Sequence, residues 1–133
     1  MSFSFSDHEA YYVPLPSDPI DAVIIIDEFR PLFENPDIRK IGQNIKFDML
    51  MLRNYNTELK GELFDTMIAH YLLQPELKHN LDYLAENYLG YKTVSIDELI
   101  GKKGKDQLSM RFVEIGKIKE YAGEDADVTW QLK

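Results

Sequence analysis

No cysteine occurs in the 133 residues. That excludes disulfides, thiolate zinc centres and a cysteine nucleophile, and it points to a cytoplasmic setting. No apolar run is long enough for a membrane span and no signal peptide is evident, so no membrane partner is expected. The three histidines, His8, His70 and His79, lack metal-ligand spacing and read as structural or exposed. A Gly-rich phosphate loop and a Ser/His/Asp arrangement are also missing. Positive charge is scarce: 15 Lys and Arg face 23 Asp and Glu, for a net charge of −8. A protein that coats duplex nucleic acid through many phosphate contacts would carry the opposite balance. A pocket gripping a few nucleotides through cations stays open, because bound metal reverses the local sign. With 44% hydrophobic residues, the chain is long enough for a real core and is expected to form one globular domain over residues 1–133.

The pattern along the chain alternates short strands with helices, without repeats or low-complexity segments. Ser2–Ser6 and Ala10–Leu15 flank Asp7-His8-Glu9 and predict a β-hairpin with a polar turn. Ser17 or Asp18 is placed to cap a helix with Pro19 in its first turn. Ile20–Phe33 poses a conflict, since Val23-Ile24-Ile25-Ile26 favours a strand by propensity. Ala22, Val23, Ile26, Phe29, Leu32 and Phe33 nevertheless recur at helical spacing, and a helix ending before Asn35-Pro36 is expected. Lys40–Gln43 reads as a short strand, with Asn44 available to cap a helix from Ile45 to about Tyr55. Thr57–Glu62 is a connecting strand or loop. Further helices are expected over Phe64–Leu73, Leu81–Tyr88 (closed by Gly90), Ile96–Ile100 and from about Ile115 to Lys133. Gly101–Asp106 reads as a polar, Lys-rich loop.

Two segments carry the chemistry: Gly42-Gln43-Asn44-Ile45-Lys46-Phe47-Asp48 and Tyr121-Ala122-Gly123-Glu124-Asp125. Tyr121 and Asp125 are four apart on an expected helix and so share a face. Asp48 lies one turn into a helix that follows a strand. A carboxylate from each of two elements, with a phenol beside one of them, is a set suited to holding Mg²⁺ against a phosphodiester. Two carboxylates are fewer than such a site needs. Asp7-His8-Glu9 supplies another pair on paper, but no apolar strand leads directly into it, and Tyr11-Tyr12-Val13 follows as a hairpin's return strand. It is expected to be a turn. Glu124 and Asp127 read as surface acids.

These segments resemble the proofreading 3′–5′ exonuclease domain of bacterial DNA polymerase I, within the ribonuclease H-like DEDD exonucleases. Gly42–Asp48 is similar to that family's second motif and Tyr121–Asp125 to its tyrosine-containing third motif. Phe64-Asp65-Thr66-Met67, His79-Asn80-Leu81-Asp82-Tyr83-Leu84-Ala85-Glu86 and Gly104-Lys105-Asp106-Gln107-Leu108 also match in order and spacing. The family's first motif, an Asp-x-Glu ending the central first strand, has no counterpart, so the chain reads as a fragment that begins at the second strand.

The resemblance implies an α/β, ribonuclease H-like three-layer domain with a mixed sheet that lacks its first central strand. It implies two divalent cations, Mg²⁺ or Mn²⁺, with Asp48 and Asp125 as metal ligands and Tyr121 orienting the attacking water. Asn44 and Gln43 become candidates for contacting the terminal nucleotide. Met110 and Phe112 lie where the family carries an apolar wedge against the 3′-terminal base; core packing is the alternative for each. The implied partners are a single-stranded DNA 3′ end and the polymerase domain of the same parent chain, with the oligomeric state open. The fragment alone is expected to be inactive. Two other readings stand beside this one: a non-catalytic exonuclease-like structural domain, and a DEDD-type 3′–5′ ribonuclease.

Overall fold

A computed structural model describes residues 1–102, 104 and 107–133. By their contacts these residues divide into two compact units, one formed by residues 1–13 and 80–132 and the other by residues 14–79 with residue 133. The α/β class holds, with helices and small sheets. The described strands form two separate two-stranded sheets, so the expected mixed sheet is not formed among them.

In the first unit, β1 (Ser2–Ser6) and β2 (Glu9–Tyr12) pair antiparallel with a bulge near the turn. The Asp7-His8 turn appears as expected, with His8 in the left-handed region at φ 63°. Against this hairpin packs α6 (Ile115–Gln131). The two lie close at Gly123, where a Cβ would make an ordinary contact with Ala10 Cβ at 3.5 Å. The turn is tied to the helix by polar bonds. Trp130 Nε1 donates to Asp7 Oδ1 at 2.9 Å, and the His8 N–H donates to Asp127 Oδ1 at 2.7 Å. Asp127, expected as a surface acid, is instead half-buried and anchors the hairpin. Between hairpin and α6 in sequence come α4 (Leu81–Leu84), which continues as a wider π turn over Ala85–Leu89, and α5 (Ile96–Ile100). Gly90 closes the former at φ 62°, as its position after the apolar run predicts. Among the described residues of this unit, Leu84, Ala85, Ile100 and Val128 are the buried apolar ones.

In the second unit, α1 (Pro19–Phe33) resolves the conflict in favour of the helix. Asp18 accepts from the Ile20 N–H at 2.8 Å, and Ala22, Ile26 and Phe33 are buried. Helical spacing therefore outweighed the β propensity of the Val23–Ile26 run, because one face could be buried along its length. β3 (Lys40–Gly42) pairs in parallel with β4 (Leu63–Asp65), Gly42 opposite Asp65. Each strand leads into a helix, α2 (Ile45–Arg53) after β3 and α3 (Thr66–Leu73) after β4.

Two expectations are corrected here. The helix expected over Phe64–Leu73 begins only at Thr66, because Leu63–Asp65 joins the sheet; a short apolar stretch cannot be told from a helix by periodicity. Asn44 does not cap α2 with its side chain. Its backbone is left-handed (φ 60°, ψ 46°), outside the extended region from which N-cap side chains normally reach the first-turn amides. No helix among the described residues is long and apolar enough to cross a membrane.

Candidate active site

Asp48 enters through the second unit. β3 stops at Gly42, the chain reverses at Gln43-Asn44, and α2 starts at Ile45, which puts Asp48 in its first turn. Gly42 is required by proximity: a Cβ there would sit 2.9 Å from Ile45 Cβ and Cγ1. The carboxyl ends of parallel strands leading into helix N-termini are where α/β sheets present ligand-binding groups. Asp48 is an exposed residue, yet its carboxyl pKa is raised. Partial loss of hydration is the main cause, its own backbone N–H opposes the rise, and the nearby Asp65 charge adds to it.

Gln43 is occupied within the fold. Its Nε2 donates to the His79 carbonyl at 2.7 Å and its Oε1 accepts from the Thr66 hydroxyl. That hydroxyl also lies 3.2 Å from the Gly42 carbonyl. The amide thus ties the strand exit to the start of α3 and to His79. Asn44, by contrast, is exposed and its side chain makes no capping bond.

Asp125 and Tyr121 enter through α6, one turn apart and both half-buried. Burial pushes the Asp125 carboxyl up to about 6; the charges of Glu124 and Asp82 push the same way, and hydrogen bonding from Tyr121 works against them. The Tyr121 phenol is pushed up to about 12, again chiefly by burial, with Asp125 and Asp82 contributing. Tyr121 therefore stays neutral at any ordinary pH and can orient a water by donating and accepting hydrogen bonds.

Glu124 has a role that its spacing did not reveal. Its carboxylate accepts from Tyr91 Oη at 2.6 Å and from the Val94 N–H at 2.8 Å, holding the segment before α5 against α6. Asp82 accepts from the Thr93 hydroxyl at 2.8 Å in the same unit. All three bonds join positions eleven or more residues apart in sequence, and no local pattern announced them.

Met110 and Phe112 form a single 3-10 turn, started by Ser109, whose hydroxyl accepts from the Arg111 N–H at 3.3 Å. Phe112 is 81% exposed. Core packing is ruled out for it, while Met110 is half-buried. Asp7 and Glu9 lie exposed at the hairpin turn, where Asp7 serves Trp130 and Glu9 accepts from the Tyr11 hydroxyl. Within the Gly104–Leu108 motif, Lys105 and Asp106 lie outside the described residues. No group of three or more potential metal ligands occurs among the described residues.

Comparison with known proteins gives a single answer. A family described as 3′–5′ exonuclease matches residues 1–133. The chain belongs to this 3′–5′ exonuclease family. It is 36% identical to DNA polymerase I of Pseudomonas aeruginosa, over 99% of this chain and 15% of that protein. It is 40% identical to DNA polymerase I of Borreliella burgdorferi over 99% of this chain and 14% of that one. For Rhizobium leguminosarum DNA polymerase I the identity is 33% over 80% of this chain and 10% of the relative. This exonuclease chain thus spans a small part of the length of the relatives it matches.

Proposed function

We propose that this chain is the 3′–5′ exonuclease part of a DNA polymerase I and that its residues serve hydrolysis of the 3′-terminal phosphodiester of single-stranded DNA during proofreading. The observation that carries the reading is the Tyr121–Asp125 pair. It combines a neutral phenol with a carboxylate whose pKa is raised to about 6 by burial, in a chain of this family. A half-buried carboxylate at that pKa gains from a nearby cation, and Asp48 shares the upward shift.

The chemistry of the donors fits a hard divalent ion such as Mg²⁺ or Mn²⁺, which takes carboxylate oxygen. By the resemblance, Asp125 would hold the cation that activates water, and Asp48 would support a second one. Such an ion supplies electrostatic stabilisation of the phosphodiester oxygens and lowers the pKa of water. Tyr121, which holds its proton up to about pH 12, would orient the attacking water. Exposed Asn44 is free to meet the terminal nucleotide, whereas Gln43 would support the turn. Phe112 offers an exposed ring on which any base can stack, as a sequence-indifferent exonuclease requires. A frayed, mismatched end supplies single strand more readily, and that is the source of proofreading selectivity. The reading keeps residues 1–133 as one exonuclease-like domain of ribonuclease H-like type, acting beside the parent's polymerase domain in the cytoplasm.

Two carboxylates supply little of the octahedral shell Mg²⁺ demands, so the 133-residue chain alone is expected to turn over negligibly. A longer form carrying an Asp-x-Glu strand should be active. Release of mononucleotides from labelled single-stranded DNA with Mg²⁺ or Mn²⁺ tests this, with Asp125→Ala separating true from contaminating activity. Inactivity of the longer form would favour the non-catalytic structural reading, and preference for labelled RNA ends the ribonuclease reading. The reading also requires Asp48 and Asp125 to serve the same cations. A chain without cysteine allows clean paired spin labels at both positions, and a measured separation far beyond about 12 Å would refute a shared site.

A further inference from the structure

Asp65 ends β4 and caps α3, but its carboxylate does more than a cap. Oδ1 accepts from the Met67 N–H at 2.9 Å and the Ile68 N–H at 3.2 Å, the ordinary bonds of an N-cap residue. The same oxygen also accepts from the Asn44 N–H at 3.2 Å, and Oδ2 accepts from the Ile45 N–H at 2.8 Å. One side chain therefore serves the first amides of two helices that start side by side from a parallel strand pair. Asn44 makes no side-chain cap bond to α2, and its backbone is left-handed, a conformation that Asn accepts more readily than most side chains. The two bonds from across the sheet are what satisfy that turn, and α2 carries Asp48 in the turn that follows.

We infer that Asp65 is a positioning residue: it clamps the Asn44-Ile45 turn and thereby sets where α2 presents Asp48. This rests on the reading of Asp48 as a metal-holding residue. The two oxygens have separable duties, since Oδ2 serves only α2 and Oδ1 serves mainly α3. Asp65→Asn keeps one acceptor oxygen but faces the other amide with an NH₂ donor. Asp65→Ser keeps a good cap for α3 and is too short to reach Ile45.

Hydrogen exchange by NMR on the labelled 133-residue chain reads the clamp directly, and line broadening on titration with Mn²⁺ alone reads its consequence at Asp48. In Asp65→Ser, exchange at Asn44 and Ile45 should accelerate about tenfold or more while Met67 and Ile68 stay protected, as loss of a charged acceptor implies. The Mn²⁺ concentration that broadens the signals around Asp48 should rise by about the same factor. Asp65→Asn should show the same two effects if it folds. Unchanged exchange at Asn44 and Ile45 would overturn the inference, as would faster exchange with an unmoved Mn²⁺ midpoint. Asp48→Asn is the separate control: if Mn²⁺ broadening survives it, the metal reading of Asp48 fails, and the exchange data alone judge the clamp.

Discussion

The two units hold their candidate carboxylates in opposite ways. Asp125 lies mid-helix on α6, half-buried against its own unit, and burial raises it to about 6. Asp48 lies at the start of a helix, exposed, at the end of a turn whose amides are satisfied by a residue from a neighbouring strand. The position of the first depends on helix periodicity and side-chain packing. That of the second depends on the conformation of two backbone residues. A carboxylate of the first kind is tuned by what surrounds it, and one of the second kind by what holds its turn.

The sharpest way to break this contrast is to remove the clamp altogether. Asp65→Ala leaves four backbone N–H groups without their acceptor and should destabilise the chain by about 2–3 kcal/mol, the sum of two lost caps, as read by urea unfolding. A loss under about 1 kcal/mol would mean that water serves those amides equally well. Gly42→Ala probes the same turn sterically. The added Cβ meets Ile45 at 2.9 Å, so a cost of about 1–3 kcal/mol is expected, with faster exchange confined to the start of α2.

Asp125 should respond to pH. Its folded pKa lies above the ordinary carboxylate value, so the folded state binds the proton more tightly than the unfolded chain. The contribution is thus most favourable below the unfolded value near 3.8 and is lost as pH rises through about 6. Asp125→Asn should therefore raise the melting temperature more at about pH 7.5 than at about pH 4.5. Equal shifts at both pH values would show that the carboxylate is not dehydrated. If Asp125 holds a cation as proposed, the cation must displace the proton, and Mn²⁺ binding there should weaken below about pH 6.

Smaller effects sharpen the picture at the edges. Asp7→Ala removes the acceptor of Trp130 Nε1 and should cost about 0.5–1.5 kcal/mol, seen as a lower urea midpoint. Phe112→Ala should leave stability within about 0.5 kcal/mol, because the ring is 81% exposed. The same change should weaken single-stranded DNA binding by about 1–3 kcal/mol if the ring stacks on a base. No loss of affinity would return Phe112 to the status of an idle surface residue.

Much of this was legible along the chain. Alternation and polar breaks marked the hairpin and the Asp7-His8-Glu9 turn, and 3.6-residue periodicity marked α1 against its β-branched run. Ordered motifs marked the family. Those signals are local, with every partner inside one element or its immediate flanks, and local regularities survive in one dimension. What tertiary structure decided are the bonds between residues remote in sequence. Glu124 holds Tyr91 and Val94, Asp127 anchors the His8 turn, Gln43 is tied to Thr66 and His79, and Asp65 holds the turn before α2. Each of these acids and amides looks like an ordinary polar residue in sequence. The parallel register that sets Gly42 beside Asp65 brings one carboxylate within reach of two helix starts, and pairing between distant strands leaves no periodic trace in the chain that forms it.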